Sequence, residues 1–232
     1  MAVQYKTPGS GIVEHWTQAR FEVPEAPEDI EIRSRFMPSE WFPQSGVQLT
    51  WPHEGTDWNY MLPEVTECYV RMAFEIASRE PLLIVTPEKA HVETLLQERL
   101  PSRLLSNIIW CECPTNDTWA RDHAFITLLD SDGPVLLDFC FNGWGMKFAA
   151  DKDNQINRHL FKAGLLNGTY HNCLDFVFEG GSIESDGCGT LLTTSECLLS
   201  PNRNEYLSRT DIEARLKTLL HAQQVLWLDH GY

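Results

Sequence analysis

The 232-residue sequence predicts an α/β fold with mixed sheets. Three patterns predict it. Short β-prone apolar runs alternate with segments of helical spacing. Leu82–Thr86, "LLIVT", is a continuous apolar run of the kind that suits a strand buried on both faces. Two turn signals, "DSDG" at 130–133 and Asp186-Gly187, separate apolar runs and mark hairpins, so some neighbouring strands are antiparallel.

Taken in order, residues 1–35 are rich in Glu and Pro with little periodicity and are expected to form a surface arm. Residues 47–51 are short, apolar and β-prone. A helix follows, with Pro63 suited to its first turn. Val65, Tyr69, Met72 and Ile76 recur at helical spacing and predict its buried face. After the strand Leu82–Thr86, Thr86 is placed to cap a helix that Pro87 begins. Val92, Leu95 and Leu96 supply that helix's core face, and Pro101 marks its end.

"NIIW" (107–110) is the next strand, and "HAFITLL" with "PVLLDFC" forms the first hairpin. A helical segment is expected at about 153–166, and "LDFVF" (174–178) is a strand leading into Glu179. "SIES" and "TLLTT" form the second hairpin. Thr210 and Glu213 read as a capping box for a last helix that buries Ile212, Leu216, Leu219 and Leu220. "QVLWL" at 224–228 is the final strand. Strand–helix–strand units recur without visible sequence identity, and no low-complexity linker divides them. Residues 36–232 therefore read as one domain.

Composition narrows the function. Eighteen basic against thirty-three acidic residues leave a net charge of -15. That argues against nucleic acid and favours approach of a cation, although an acidic surface also simply aids solubility. The absence of a long apolar run or a signal-peptide pattern leads to the expectation of a cytoplasmic location and no membrane partner. Seven cysteines occur without a C-x-x-C pair, so neither a zinc site nor a disulfide framework is expected. No cofactor is expected either.

Two carboxylates draw attention. Asp122 lies where the loop "CPTND" enters the strand "HAFITLL", with Trp119 three residues earlier. A carboxylate beside an aromatic wall suits a ligand with an apolar stem and a cationic head. The alternatives are a cap for Asp122 and core packing for Trp119. Glu179 precedes Gly180-Gly181, where backbone can bend sharply or approach closely. It could accept two parallel N–H bonds from a guanidinium, orient a histidine, or stand solvated on a bulge. Arg121 is expected to point away from Asp122 and brace the loop. Arg203 is expected to anchor carbonyls, and His123 to be packed.

Together, "MPSEWFPQSGVQLTWPH", "TWARDH", "FNGWGMKF" and "EGGSIESDGCGTLLTTSECLLSPNRN" resemble the agmatine deiminase and bacterial-type peptidyl-arginine deiminase family. The resemblance implies a pentein-type α/β propeller of ββαβ modules, incomplete here, with about three of five modules present. It implies conversion of a small cationic guanidine, above all agmatine, to N-carbamoylputrescine and ammonia, as in polyamine synthesis. It implies Asp122 and Glu179 as catalytic, substrate-binding acids and Trp119 as the wall of the substrate's stem. The family's His-x-Asp segment and late cysteine nucleophile have no match in these residues, and "RDHAF" departs from the usual R-D-x-G-P. The resemblance therefore implies a nucleophile outside this chain. The alternatives are an inactive guanidinium-binding or interaction module and a peptidyl-arginine deiminase. Association with further copies is one way to cover the unfinished edge.

Overall fold

A computed structural model describes residues 34–230. The expected arm at 1–35 thus lies outside the described residues, apart from Ser34 and Arg35. The chain divides into two compact units interleaved in sequence. One contains Pro43–Ala120 and Arg158–Asn167, and the other contains 34–42, Arg121–Asn157 and 168–230. The chain passes between units repeatedly, so no single linker exists for composition to reveal.

The first unit holds a three-stranded parallel sheet of β1 (Val47–Thr50), β2 (Leu82–Thr86) and β3 (Ile108–Glu112). β2 is central and every residue in it is buried, as its unbroken apolar run predicts. Parallel neighbours need crossovers, here helices α1 (Leu62–Ala77) and α2 (Lys89–Arg99). Pro63 sits in the first turn of α1 as expected. The buried face of α1 is Val65, Val70, Ala73 and Ala77, rotated from the predicted stripe. Small alanines let the helix lie close to the sheet, while Tyr69 and Ile76 pack at the margin. Thr86 Oγ1 accepts the Glu88 N–H at 3.1 Å, but α2 begins only at Lys89, so Thr86 organises the approach and not the cap. Val92 and Leu96 are buried in α2, with Leu95 partly so.

The second unit holds two sheets of one design. In the first, β4 (Ile126–Asp130) pairs antiparallel with β5 (Gly133–Cys140), which pairs parallel with β6 (Thr169–Val177). In the other, β7 (Ile183–Ser185) pairs antiparallel with β8 (Thr190–Thr194), which pairs parallel with β9 (Gln224–Leu228). Both hairpins fall where the turn signals place them. In the second turn, Asp186 Oδ1 accepts the N–H groups of Cys188 and Thr190 at 2.7 and 2.9 Å. The crossover before β9 is helix α3 (Arg209–Leu219). Ser208 and Asp211 form its capping box, not Thr210 and Glu213. Ser208 has the extended backbone an N-cap needs, so the helix starts two residues earlier. Its apolar face is as predicted for Ile212, Leu216 and Leu220, with Leu219 half-buried.

One apolar cluster joins both sheets of this unit, centred on Phe139, Phe176 and Phe178. The strand before Glu179 begins at Thr169, earlier than the apolar run suggests. Its first half is largely exposed on one side and reads as polar in sequence.

Candidate functional site

Asp122 belongs to a short helical turn, Ala120–His123, rather than an extended entry to β4. Alternation therefore does not decide where its neighbours point. Arg121 donates from Nη1 and Nη2 to Glu40 at 3.0 and 2.8 Å and from Nη2 to the Ile183 carbonyl at 3.3 Å, which is a bracing role. His123 is buried, and burial pushes its imidazole down to about 4. It is packed and neutral at pH 7, as expected.

The Asp122 carboxylate is held at both oxygens. Oδ1 accepts the Gly181 backbone N–H at 3.1 Å, and Oδ2 accepts the Trp144 indole N–H at 3.2 Å. The double glycine makes this approach possible. A Cβ on Gly180 would lie 2.4 Å from the Arg121 carbonyl oxygen, and one on Gly181 would lie 2.2 Å from Asp122 Oδ1. Burial pushes the Asp122 carboxyl above the usual range, the Trp144 bond opposes that, and the Glu179 charge adds to it. The Glu179 charge thus acts on Asp122 across neighbouring turns.

Glu179 is 3 % exposed, not solvated on a bulge. It meets a guanidinium, and that guanidinium is the chain's own. Arg203 donates from Nε to Oε2 at 3.2 Å and from Nη2 to Oε1 at 2.5 Å. The expectation that Arg203 anchors carbonyls is corrected: its fork matches a carboxylate, which pays for its burial better than neutral oxygens could. Burial opposes the Arg203 charge, but the Glu179 contact prevails and holds its pKa up. Cys197 Sγ lies 3.8 Å from Glu179 Oε1, and burial together with that negative charge pushes the thiol up to about 11.

Arg203 stands in the turn Pro201–Asn204, which is tied to β6. Asn204 donates to the Val177 carbonyl at 2.8 Å and accepts the Val177 N–H at 3.0 Å, so its amide continues the strand's ladder. Trp144 stands in "FNGWGMKF" with a left-handed backbone, φ 58°. The Asn142 side chain accepts the Gly145 N–H and fixes this turn.

Trp119 belongs to the first unit. It is 44 % exposed, donates to Asp117 at 2.9 Å and tilts against Trp58 with centroids 6.0 Å apart. It is therefore not core packing. The second unit brings Asp122 and Glu179 into one cluster with Arg203, Trp144 and Cys197. Trp144 was legible only as a tryptophan between glycines, and nothing in the sequence signals its bond to Asp122. Among the described residues, no group of three or more His, Cys, Asp or Glu could hold a metal ion.

Hairpin–helix–strand sheets bearing a buried carboxylate–guanidinium pair beside a second carboxylate make this a mixed α/β protein. The chain belongs to the Porphyromonas-type peptidyl-arginine deiminase family, whose model matches residues 36–232. It is 35 % identical over 203 residues to the Listeria monocytogenes protein named "Putative agmatine deiminase 2", covering 84 % of this chain and 53 % of that one. A Porphyromonas gingivalis structure described as a "Putative Arginine Deiminase" matches with TM-score 0.77 and 51 % identity, over 85 % of this chain and 58 % of that one. A cysteine-to-serine variant of C. jejuni agmatine deiminase with substrate bound matches with TM-score 0.75 and 34 % identity, over 88 % and 60 %. The chain spans about half the length of the curated relatives it matches.

Proposed function

We propose that the whole protein deiminates a small guanidine, most simply agmatine, giving N-carbamoylputrescine and ammonia in the cytoplasm. Asp122 and Glu179, both in the second unit, line the guanidinium site. The observation that carries this reading is the pair of acids in one cluster, with Asp122 held open by backbone and indole N–H groups. The likeness to agmatine deiminases of known structure supports it. In this reading the three three-stranded sheets are three modules of a five-module pentein propeller, and residues 36–232 are one partial domain.

The chemistry calls for a nucleophile. A thiolate attacks the guanidinium carbon, the C–N bond to one terminal nitrogen breaks, and ammonia leaves. Water then cleaves the C–S bond to give the ureido product. Anionic walls keep the guanidinium charged and therefore electrophilic, and fixed orientation lowers the barrier further. A nucleophilic cysteine needs a lowered pKa. Cys197, the thiol beside Glu179, has the opposite, and Cys173 is also pushed up to about 11 by burial. Cys111, by contrast, is pushed down by its hydrogen bond with Cys113, but it lies buried in β3. Our placing of the nucleophile outside these 232 residues rests on the family resemblance, whose cysteine segment has no match here.

A second reading, deimination of peptidyl arginine, has the description of the matching family in its favour. Ammonia release is the test, run on this chain and on a chain of the length of its curated relatives. Agmatine should outrun an arginine peptide with the chain of that length, and Asp122→Ala should abolish turnover. Turnover by the 232 residues alone would overturn the placing of the nucleophile. Preference for the peptide would favour the second reading.

A further inference from the structure

The guanidine site already contains a guanidinium. Arg203 occupies one lone pair on each oxygen of Glu179, and both side chains are almost wholly removed from water, at 7 % and 3 % exposure. Glu179 keeps its remaining lone pairs, one of them near the Cys197 thiol. The pair as a whole is neutral. Asp122 differs: its partners are two neutral N–H groups, and its cationic neighbour Arg121 is itself engaged by Glu40.

We propose that Arg203 is a positioning residue of the guanidine site, holding Glu179 charged and immobile so that Asp122 is the acid left to balance an incoming guanidinium. A buried carboxylate without a cation favours its neutral form. Protonated Glu179 would present an O–H donor to another donor, which repels instead of binding. The Arg203 fork prevents this and also fixes the carboxylate's plane. The groups facing this pair are Asp122 and Cys197, and those facing Asp122 are Arg121 and Glu179. Glu40 and Glu184 act on Arg121. The only cation reaching Glu179 among these is Arg203, so its loss has no local substitute among the described residues. This inference rests on the proposed guanidine site.

The test measures agmatine binding to the 232-residue chain by calorimetry from pH 5 to 8. Putrescine, which shares the stem and amine but has no guanidine, is the comparison. The unsubstituted chain should bind agmatine over putrescine, with affinity falling at the acid end as Asp122 protonates, by at most one proton per ligand. Arg203→Met should weaken agmatine binding about tenfold to a hundredfold at pH 7, the loss expected for a hydrogen bond to a charged group. It should also steepen the pH dependence towards two protons, because both acids must then be ionised. Arg203→Met combined with Glu179→Gln should return the slope to at most one proton without restoring affinity. Arg203→Lys, which keeps the charge but not the fork, should keep the slope at or below one proton and weaken binding less than Arg203→Met.

An unchanged slope and affinity in Arg203→Met overturns the proposal. If that variant does not fold, Arg203→Lys decides: a two-proton slope there overturns it. If the unsubstituted chain does not bind agmatine, the functional reading fails for this chain. Arg203 is then judged by the Glu179 carboxyl carbon resonance at pH 7. It should move towards the protonated position in Arg203→Met and return in Arg203→Lys, and no movement overturns the positioning role.

Discussion

Gly181 donates its backbone N–H to Oδ1 of Asp122 at 3.1 Å, at a point where a single added methyl group would stand 2.2 Å from that oxygen. The second glycine of "EGG" is therefore required by a contact 59 residues away in sequence. Gly181→Ala should destabilise the protein by about 1–3 kcal/mol through overpacking. Urea unfolding would check this, and a loss below a few tenths would mean that the two turns are not packed together.

Trp144→Phe keeps the ring, with its edge-to-face contacts to Phe141 and Phe148, but removes the N–H on Asp122 Oδ2. That bond is one of the influences holding the Asp122 carboxyl down. Its loss should raise the pH at which Asp122 titrates, followed by carboxyl carbon resonance. Guanidine affinity should fall at pH 6 more than at pH 8. An unmoved midpoint would remove Trp144 from the site.

Asn204→Ala removes a donor and an acceptor that together satisfy both backbone groups of Val177, two residues before Glu179. Val177 is part-buried, so leaving its N–H and carbonyl unpaired costs towards the low end of about 1–3 kcal/mol for each group. We expect a loss of about 2 kcal/mol or more in denaturant unfolding. Asn204→Asp should lose nearly as much, since a carboxylate cannot donate to the Val177 carbonyl.

His123 sets an acid limit. Its folded pKa is depressed from 6.5 to about 4 by burial, so the unfolded chain binds the proton first. Stability from this group is complete above pH 6.5 and is lost as pH falls towards 4. The full loss is roughly 3 kcal/mol. His123→Gln should flatten the stability curve across this window. An equally steep curve in the variant would assign the acid sensitivity to other groups.

Local repetition was readable from the residues alone: the buried run of β2, both hairpin turns, the helix with Pro63 in its first turn, and the final strand. Each is a matter of period or turn chemistry among near neighbours, which is legible without coordinates. The sequence also marked Asp122, Glu179 and Trp119, because an acid before paired glycines or a tryptophan beside an acid is uncommon enough to notice. Tertiary structure alone decided what those acids touch. The Arg203 fork comes from 24 residues beyond Glu179, and the Trp144 indole from 22 beyond Asp122. Such contacts leave no spacing rule in the chain. The face of α1 was also decided in three dimensions, where small alanines packed closer to the sheet than the larger residues of the predicted stripe. Hydrophobicity names the candidates for burial, but close packing selects among them.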